Sequence, residues 1–361
     1  MKNKKYAVIG LGNIGQALSS YLLSKNLNVR LYNRSQNRLD KINSNGGLSS
    51  KGILEGLWKP EVITSDLQEA CLGVDYIFLT VPANIHSIIA LKLKNIVKKN
   101  QTIVLSPSRT FGAFEFQKIL GRDHFSSPLI VELQTTIHTS RINELGIIEI
   151  LAEKKDVKAA FLPQDELGAV SIELLDLFPM LRFQRDTLHT SLDNIGVILH
   201  PLPTLFNIGW IEKENQDFKY YYDAISPTLA SLLEKLDAER LMISKSLGVE
   251  SSSVTEWMSK SYGLEEDSLY NLIQKNKYYS TINAPQTLYH RYIFEDISTG
   301  LVPLLSISKI LKLECPIIES IIILASQIFN YDFFSKGRNL ENLGLNQLNK
   351  EDLINVLKGV K

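Results

Sequence analysis

Short apolar runs rich in β-branched residues alternate with amphipathic stretches through the first half of the chain. Residues 6–9, 28–32, 75–81 ("DYIFLTV") and 102–105 ("TIVL") have the length and composition of buried strands. Between them, residues 16–25 and 85–99 space their apolar positions as helices do. That alternation predicts a parallel sheet covered by helices. Residues 129–131 and 147–152 read as later strands of the same domain, and 165–178 as a helix after them.

The strand signal fades near residue 187. Residues 226–248 enter a helix through Ser-Pro and leave it at Gly248. Further helices are expected over 252–261, 269–274, 292–311 and 316–329. The predicted architecture is therefore an α/β domain over 1–185 and an all-α domain over 186–361. The stretch 316–329 ("PIIESIIILASQIF") is too short to span a bilayer and carries Glu319, Ser320 and Gln327. It is expected as a buried helix with Pro316 in its first turn.

The first strand runs into "GLGNIG", with Gly10, Gly12 and Gly15 spaced as G-x-G-x-x-G between a strand and a helix. In that context the glycines have distinct tasks: a tight turn, close approach of backbone to a pyrophosphate, and close helix–strand packing. The helix start then offers its positive dipole end to phosphate. A dinucleotide cofactor is expected, held here by Gly10, Gly12, Asn13 and Gly15. The second strand ends in Asn33, Arg34 and Ser35 rather than the carboxylate that binds a ribose diol. An arginine attracts a 2′-phosphate and Ser35 can hydrogen-bond it, so NADP is favoured, with NAD as the alternative. Arg38 lies one turn on. The loop "LTVPANIH" follows another strand and brings Pro82 and Ala83 to the cofactor's expected path. "SPSRTFG" ends the next strand the same way, and its Arg109 is a candidate for a phosphate or a substrate carboxylate.

Composition narrows the class. Lys+Arg and Asp+Glu each number 39, so no basic excess points to nucleic acid. Glycines and Asn13 interrupt the apolar start, which excludes a signal peptide reading. The two cysteines are far apart and form no redox or metal motif, which favours a reducing, cytoplasmic setting. None of the six histidines stands in HExxH or HxH, so no metal is expected.

One histidine is placed unusually. In "NIGVILHPLPTLFN", His200 closes an apolar run just before Pro201 and Pro203. Proline cannot continue a helix interior and displaces the residue before it, so this ring is expected at a helix end or kink. Spacing alone reads it as a core or capping histidine. A second stretch, "LYHRYIFEDISTGLVPL", sets Arg291, Glu295 and Asp296 in an apolar helical run. The adjacent acids project to different sides of a helix, so one can face solvent while the other faces inward and needs a histidine or arginine partner, with an exposed acidic pair as the alternative.

Taken together, "YAVIGLGN" at Tyr6, "LHTSLDN" at Leu188, "HPLPTL" at His200, "LDAER" at Leu236, "EDISTGLVPL" at Glu295 and "LGL" at Leu343 resemble the octopine/nopaline (opine) dehydrogenase family over nearly the whole chain. The resemblance implies a Rossmann-type first domain and a helical second domain for substrate and dimerisation. It implies NAD(P)H-dependent condensation of an L-amino acid with a 2-oxo acid such as pyruvate, and His200 with Asp296 as the catalytic pair. Both substrates carry carboxylates, so Arg291 and Arg141 join Arg109 as candidate substrate residues. The chain departs from the family at Asn33-Arg34, at "SPSRTFG", and after Glu132, so substrate identity does not carry over. A simple ketone reductase and a non-catalytic dinucleotide sensor are the alternatives. A homodimer is expected through the helical half, with no nucleic acid or membrane partner.

Overall fold

In the computed structural model, which describes residues 4–121, 127–144, 146–164, 168–215 and 217–358, the apolar runs of the first half become strands of two sheets. Contacts divide the chain into two units. One comprises Met1–Ser108 and Gly112–Thr190, the other Arg109–Phe111 and Ser191–Lys361.

The first unit holds twelve named strands: β1 (Lys5–Ile9), β2 (Asn28–Tyr32), β3 (Leu48–Gly52), β4 (Gly56–Trp58), β5 (Val62–Thr64), β6 (Tyr76–Leu79), β7 (Thr102–Leu105), β8 (Leu129–Leu133), β9 (His138–Glu144), β10 (Ile147–Glu153), β11 (Val157–Leu162) and β12 (Leu181–Phe183). The main sheet has the order β12-β11-β8-β7-β6-β1-β2-β5. Every neighbour pair in it is parallel except β8 and β11. The expected parallel sheet is present, with this one antiparallel pair in it. Between β8 and β11 the chain forms the β9–β10 hairpin instead of a crossover helix, and so returns antiparallel.

Residues 147–152, expected in the main sheet, instead form β10 of a second sheet, ordered β4-β3-β10-β9. The reason is legible in its burial. Ile148 and Ile150 are buried and pack on Ala17, while their neighbours in the strand are at least partly exposed. One apolar face is what a sheet covering a helix needs. That helix is Asn13–Ser24, which follows the glycine loop; its buried positions run from Gly15 through Leu23 and include Gln16, Ser19 and Ser20. The second sheet covers it on one side while it packs on β1 and β2 on the other. The helix expected over 85–99 is shorter, His86–Leu93, and the one expected over 165–178 is observed as Ala169–Leu177, with 165–167 outside the described residues.

The second unit's named elements are all helical. Its longest helix, Pro227–Ser246, is capped by Ser226, whose side chain accepts from the Leu229 amide. The LDAER motif lies on this helix and organises its neighbours. Asp237 accepts from Arg240 at 2.7 Å and from the Val254 amide at 2.7 Å, at the start of helix Val254–Tyr262. Glu239 accepts from the amides of Ile317 and Ile318, both at 2.9 Å, which caps helix Pro316–Phe329. The buried Arg240 donates to the carbonyls of Leu192 and Ser252. One charged turn therefore fixes three other segments, including the one that leads to His200.

The helix expected over 292–311 is three segments: Arg291–Asp296, a π-helical turn Ile297–Leu301, and Val302–Leu311. Pro303 explains the break. It has no N–H to give to Thr299, four residues back, or to Ser298, five back. Both freed carbonyls are used: Thr110 N–H donates to Thr299 at 3.1 Å and Arg338 N–H to Ser298 at 2.8 Å. Gly300 is also required, because a Cβ there would stand 2.1 Å from Cγ1 of Val197.

Candidate active site

The glycine loop of the first unit has the form of a phosphate cradle. Gly10 has φ of +100°, and its amide donates to Tyr32 at 2.9 Å. A Cβ on Gly15 would lie 1.7 Å from the Gly10 carbonyl oxygen, so close packing fixes that glycine. Gly12 differs: a Cβ there would meet nothing within 4 Å. The backbone at Gly12 is open, and helix Asn13–Ser24 begins with no side-chain cap. Open backbone before an uncapped helix start suits a pyrophosphate, so these residues fit a dinucleotide. Asn13 itself is tied to β9, its side chain accepting from Ile142 N–H at 2.9 Å.

Asn33 joins the end of β2 to the same loop by accepting from the Leu11 amide at 3.1 Å. Arg38 donates to the Leu11 carbonyl at 2.6 Å, so it braces the loop. Arg34 and Ser35 are exposed, and Ser35 stands at the N-cap of helix Gln36–Ser44 without a capping bond from its side chain. Pro82 is exposed and Ala83 buried, at the start of a short 3₁₀ turn.

The second constellation lies wholly within the second unit. His200 sits between helices Gly196–Leu199 and Pro201–Phe206, at φ −112° and ψ −59°. The kink expected from Pro201 is there. Pro203 withholds an N–H from Leu199, and the Tyr220 hydroxyl bonds the adjacent His200 carbonyl at 2.6 Å. Nδ1 of His200 lies 2.8 Å from Oδ2 of Asp296, a carboxylate fully buried at the end of helix Arg291–Asp296. Nε2 lies 3.1 Å from the Tyr221 hydroxyl. The ring stacks on Tyr292 with centroids 4.1 Å apart.

Glu295 and Asp296 are both buried, so neither a solvent-facing member nor an exposed pair is found. Adjacent carboxylates can both turn inward only against cations, and two are present. Arg109 reaches Glu295 through Nε at 3.2 Å and Asp296 through Nη2 at 3.4 Å, and it also donates to Asn194 at 3.1 Å. Arg291 reaches the other Glu295 oxygen through Nε at 3.0 Å. Arg109 is thus no surface arginine; its side chain is 8% exposed. Its backbone is left-handed, at φ +61°, and so is that of Phe111 at +60°. Such backbone costs about 1–3 kcal/mol per residue unless neighbours hold it. Here Thr299 accepts from Thr110 N–H, Ser191 Oγ from Phe111 N–H, and the Thr110 carbonyl from Arg338.

Two guanidinium groups balance two carboxylates, so a protonated His200 would add a third positive charge. Burial holds the His200 ring below its ordinary value, and Arg109 and Arg291 push the same way against the pull of Asp296. The ring is neutral near pH 7. The Asp296 carboxylate requires Nδ1 to be the donor, which leaves Nε2 with a lone pair. Burial also raises the Tyr220 and Tyr221 hydroxyls well above their ordinary value, so both stay protonated.

Of the predicted residues, the fold brings His200, Asp296, Arg109 and Arg291 together. Arg141 lies on β9 opposite Glu149, in the other unit. Glu295, Asn194, Tyr221 and Tyr292 escaped the sequence reading as site residues. Asn194 falls inside the "LHTSLDN" motif, which was a usable signal; "KYYYD" around Tyr221 carried none.

Two family models match the chain. Residues 184–329 match the family described as NAD/NADP octopine/nopaline dehydrogenase, alpha-helical domain. Residues 5–108 match the NAD-dependent glycerol-3-phosphate dehydrogenase N-terminus. An opine dehydrogenase of Arthrobacter sp. (strain 1C) is 36% identical over 349 residues, covering 96% of this chain and 97% of that protein. Among solved structures, an octopine dehydrogenase in complex with NADH and agmatine superposes with a TM-score of 0.79 at 21% identity, over 99% of both chains. A yersinopine dehydrogenase with NADP+ bound gives 0.75 at 14% identity, over 99% of this chain and 98% of that one.

Proposed function

The chain belongs to the octopine/nopaline dehydrogenase family, a family of NAD(P)-dependent oxidoreductases, and from that premise we propose a reaction, its acid–base pair and its cofactor. The reaction is reductive condensation of an L-amino acid amine with a 2-oxo acid such as pyruvate, giving an N-(1-carboxyalkyl)amino acid. His200 and Asp296 are the acid–base pair. The observation that carries this reading is the 2.8 Å bond between Nδ1 of His200 and a buried carboxylate.

Neutral His200 takes a proton from the substrate ammonium, which frees the amine lone pair to attack the ketone carbon. Asp296 holds the ring in the tautomer that can accept at Nε2 and stabilises the imidazolium that results. The protonated ring then gives its proton to the carbinolamine hydroxyl as water leaves and the C=N bond forms. A nicotinamide dinucleotide held on the loop of Gly10, Gly12 and Gly15 would supply the hydride for the imine carbon.

Arg291 supports the binding of a substrate carboxylate. Its side chain is 38% exposed, and its ion pair with Glu295 uses Nε, which leaves the terminal nitrogens for a planar anion. Arg141 remains a second candidate for a carboxylate. Arg109 is committed to the buried acids, which favours a structural role over substrate contact.

NADP is the favoured cofactor. Exposed Arg34 and the uncapped Ser35 hydroxyl, with no carboxylate at the end of β2, suit a 2′-phosphate. Helix Pro316–Phe329, expected as a buried helix, buries only Ile318, Ile321, Ile322 and Ala325, and a homodimer is proposed through its exposed Ile323, Leu324 and Ile328. Two buried cysteines with no disulfide among the described residues suit the cytoplasm. No helix among the described residues is long and apolar enough to cross a membrane.

The test is NADPH oxidation by the purified protein with pyruvate and a pool of L-amino acids, beside single omissions and His200→Ala. Turnover that needs both substrates and disappears in His200→Ala is the expected result. Turnover with pyruvate alone would make the protein a simple reductase. NADPH binding with no turnover on any pair would favour a sensor.

A further inference from the structure

The neutral His200 ring has no unoccupied nitrogen. Nδ1 donates to Asp296 at 2.8 Å, and Nε2 accepts from the Tyr221 hydroxyl at 3.1 Å. One ring face is covered by Tyr292 at 4.1 Å. Tyr221 is itself held firmly. It is buried, and its ring stacks on Tyr279 at 4.0 Å and meets Tyr220 edge-on at 5.0 Å. A tyrosine locked by two rings cannot easily swing off Nε2 to admit a substrate.

From this geometry we propose that Tyr221 is the catalytic residue that touches the substrate proton, relaying it to and from His200 through its hydroxyl. The proposal rests on the reading of His200 as the acid–base group. In the forward step the substrate N–H bond breaks as a new bond to the Tyr221 oxygen forms, and the original Tyr221 O–H proton passes to Nε2. Tyr221 ends as it began, neutral, and His200 ends as imidazolium against Asp296. The return step reverses both transfers, with the carbinolamine oxygen as acceptor when water leaves. Burial raises the Tyr221 hydroxyl well above its ordinary value, so a free tyrosinate does not form and the two transfers run together.

The experiment compares wild type, Tyr221→Phe and His200→Gln with both substrates in mixtures of H2O and D2O. Tyr221→Phe keeps the ring packing and deletes one oxygen. With the relay, its kcat falls about 100-fold at nearly unchanged KM for NADPH, the scale of a lost acid–base group. The wild-type rate curves with deuterium fraction, as two moving protons require, and the variant's plot becomes linear. Equal kcat within about twofold, with unchanged curvature, would overturn the relay while loss of activity in His200→Gln kept the pair. Activity retained in His200→Gln would overturn the acid–base reading itself. If Tyr221→Phe does not fold by thermal unfolding and NADPH binding, 3-fluorotyrosine at 221 replaces it. An altered solvent isotope effect then supports the relay, and an unaltered one overturns it.

Discussion

Gly196 stands so close to Arg109 that a Cβ on it would lie 2.6 Å from Nη1 of the arginine. The same atom would lie 2.9 Å from Oδ1 of Asp296 and 3.3 Å from Nδ1 of His200. A glycine on helix Gly196–Leu199 is therefore the floor on which the charged cluster is assembled. Gly196→Ala is expected to cost only about 1–3 kcal/mol of stability, since side-chain ends can shift, but those ends belong to the proposed acid–base pair and the arginine that holds it. Turnover should fall about 100-fold or more, by loss of alignment, while NADPH binding is kept. Steady-state kinetics with a fluorescence titration of NADPH checks this; unchanged kcat would mean the cluster can move without consequence.

Arg34 decides between the two nicotinamide cofactors if the proposed preference is right. Arg34→Asp replaces a cation that pairs with a 2′-phosphate by an anion that repels it. KM for NADPH should rise about tenfold or more, the worth of one charge-assisted contact, while KM for NADH falls or stays level. Kinetics with each cofactor reads this directly. A parent enzyme with equal KM values for both would remove the premise.

Acid should weaken the fold above the carboxylate range. Burial, with Lys154 beside it, pushes His138 down to about 4, and burial with Arg291 pushes His290 down to about 4. Both folded values lie below the ordinary 6.5, so the unfolded chain binds more protons between those limits. Stability from these two rings is present above about pH 6.5 and is lost as pH falls toward 4, together a few kcal/mol at most. Urea midpoints at pH 7 and pH 5 should differ, and His138→Gln should flatten the difference. His200 has the same sign, so kcat/KM should hold down to a pH below 6.5 and then fall as the ring is protonated.

The first domain's strands and the glycine loop could be read because strand length, apolar runs and helix entry are local signals. The second sheet could not. The β10 run Ile147–Glu153 looks like any other strand, and only Ala17, more than a hundred residues earlier, tells which sheet it joins. The two acids show the same limit. On helix geometry alone Glu295 and Asp296 point apart, and nothing nearby in sequence announces that Arg109 arrives to hold both. His200 and Asp296 were paired by resemblance, not by spacing. Tyr221 had neither signal.

The exposed row on helix Pro316–Phe329 tests the dimer. Ile323→Glu places a charge on a face that would be desolvated in a pair, at a cost of several kcal/mol. Light scattering across a concentration series should show a dimer for the parent and a monomer for the variant. A monomeric parent at every concentration would refute the dimer.

The π-helical turn at Ile297–Leu301 amounts to one residue more than an α-helix would spend there, with Val302 N–H bonded to Ile297 five residues back. Each residue advances a helix by about 100°, so this extra one resets the phase between the segments on either side. The acidic half can aim Glu295 and Asp296 at the arginines while the half beyond keeps Leu304, Ile307 and Leu311 in the core. Phase, rather than composition, separates chemistry from packing along this one rod. Deleting a single residue from the turn would restore a continuous screw and rotate the carboxylates away from His200, although every side chain of the site would still be present.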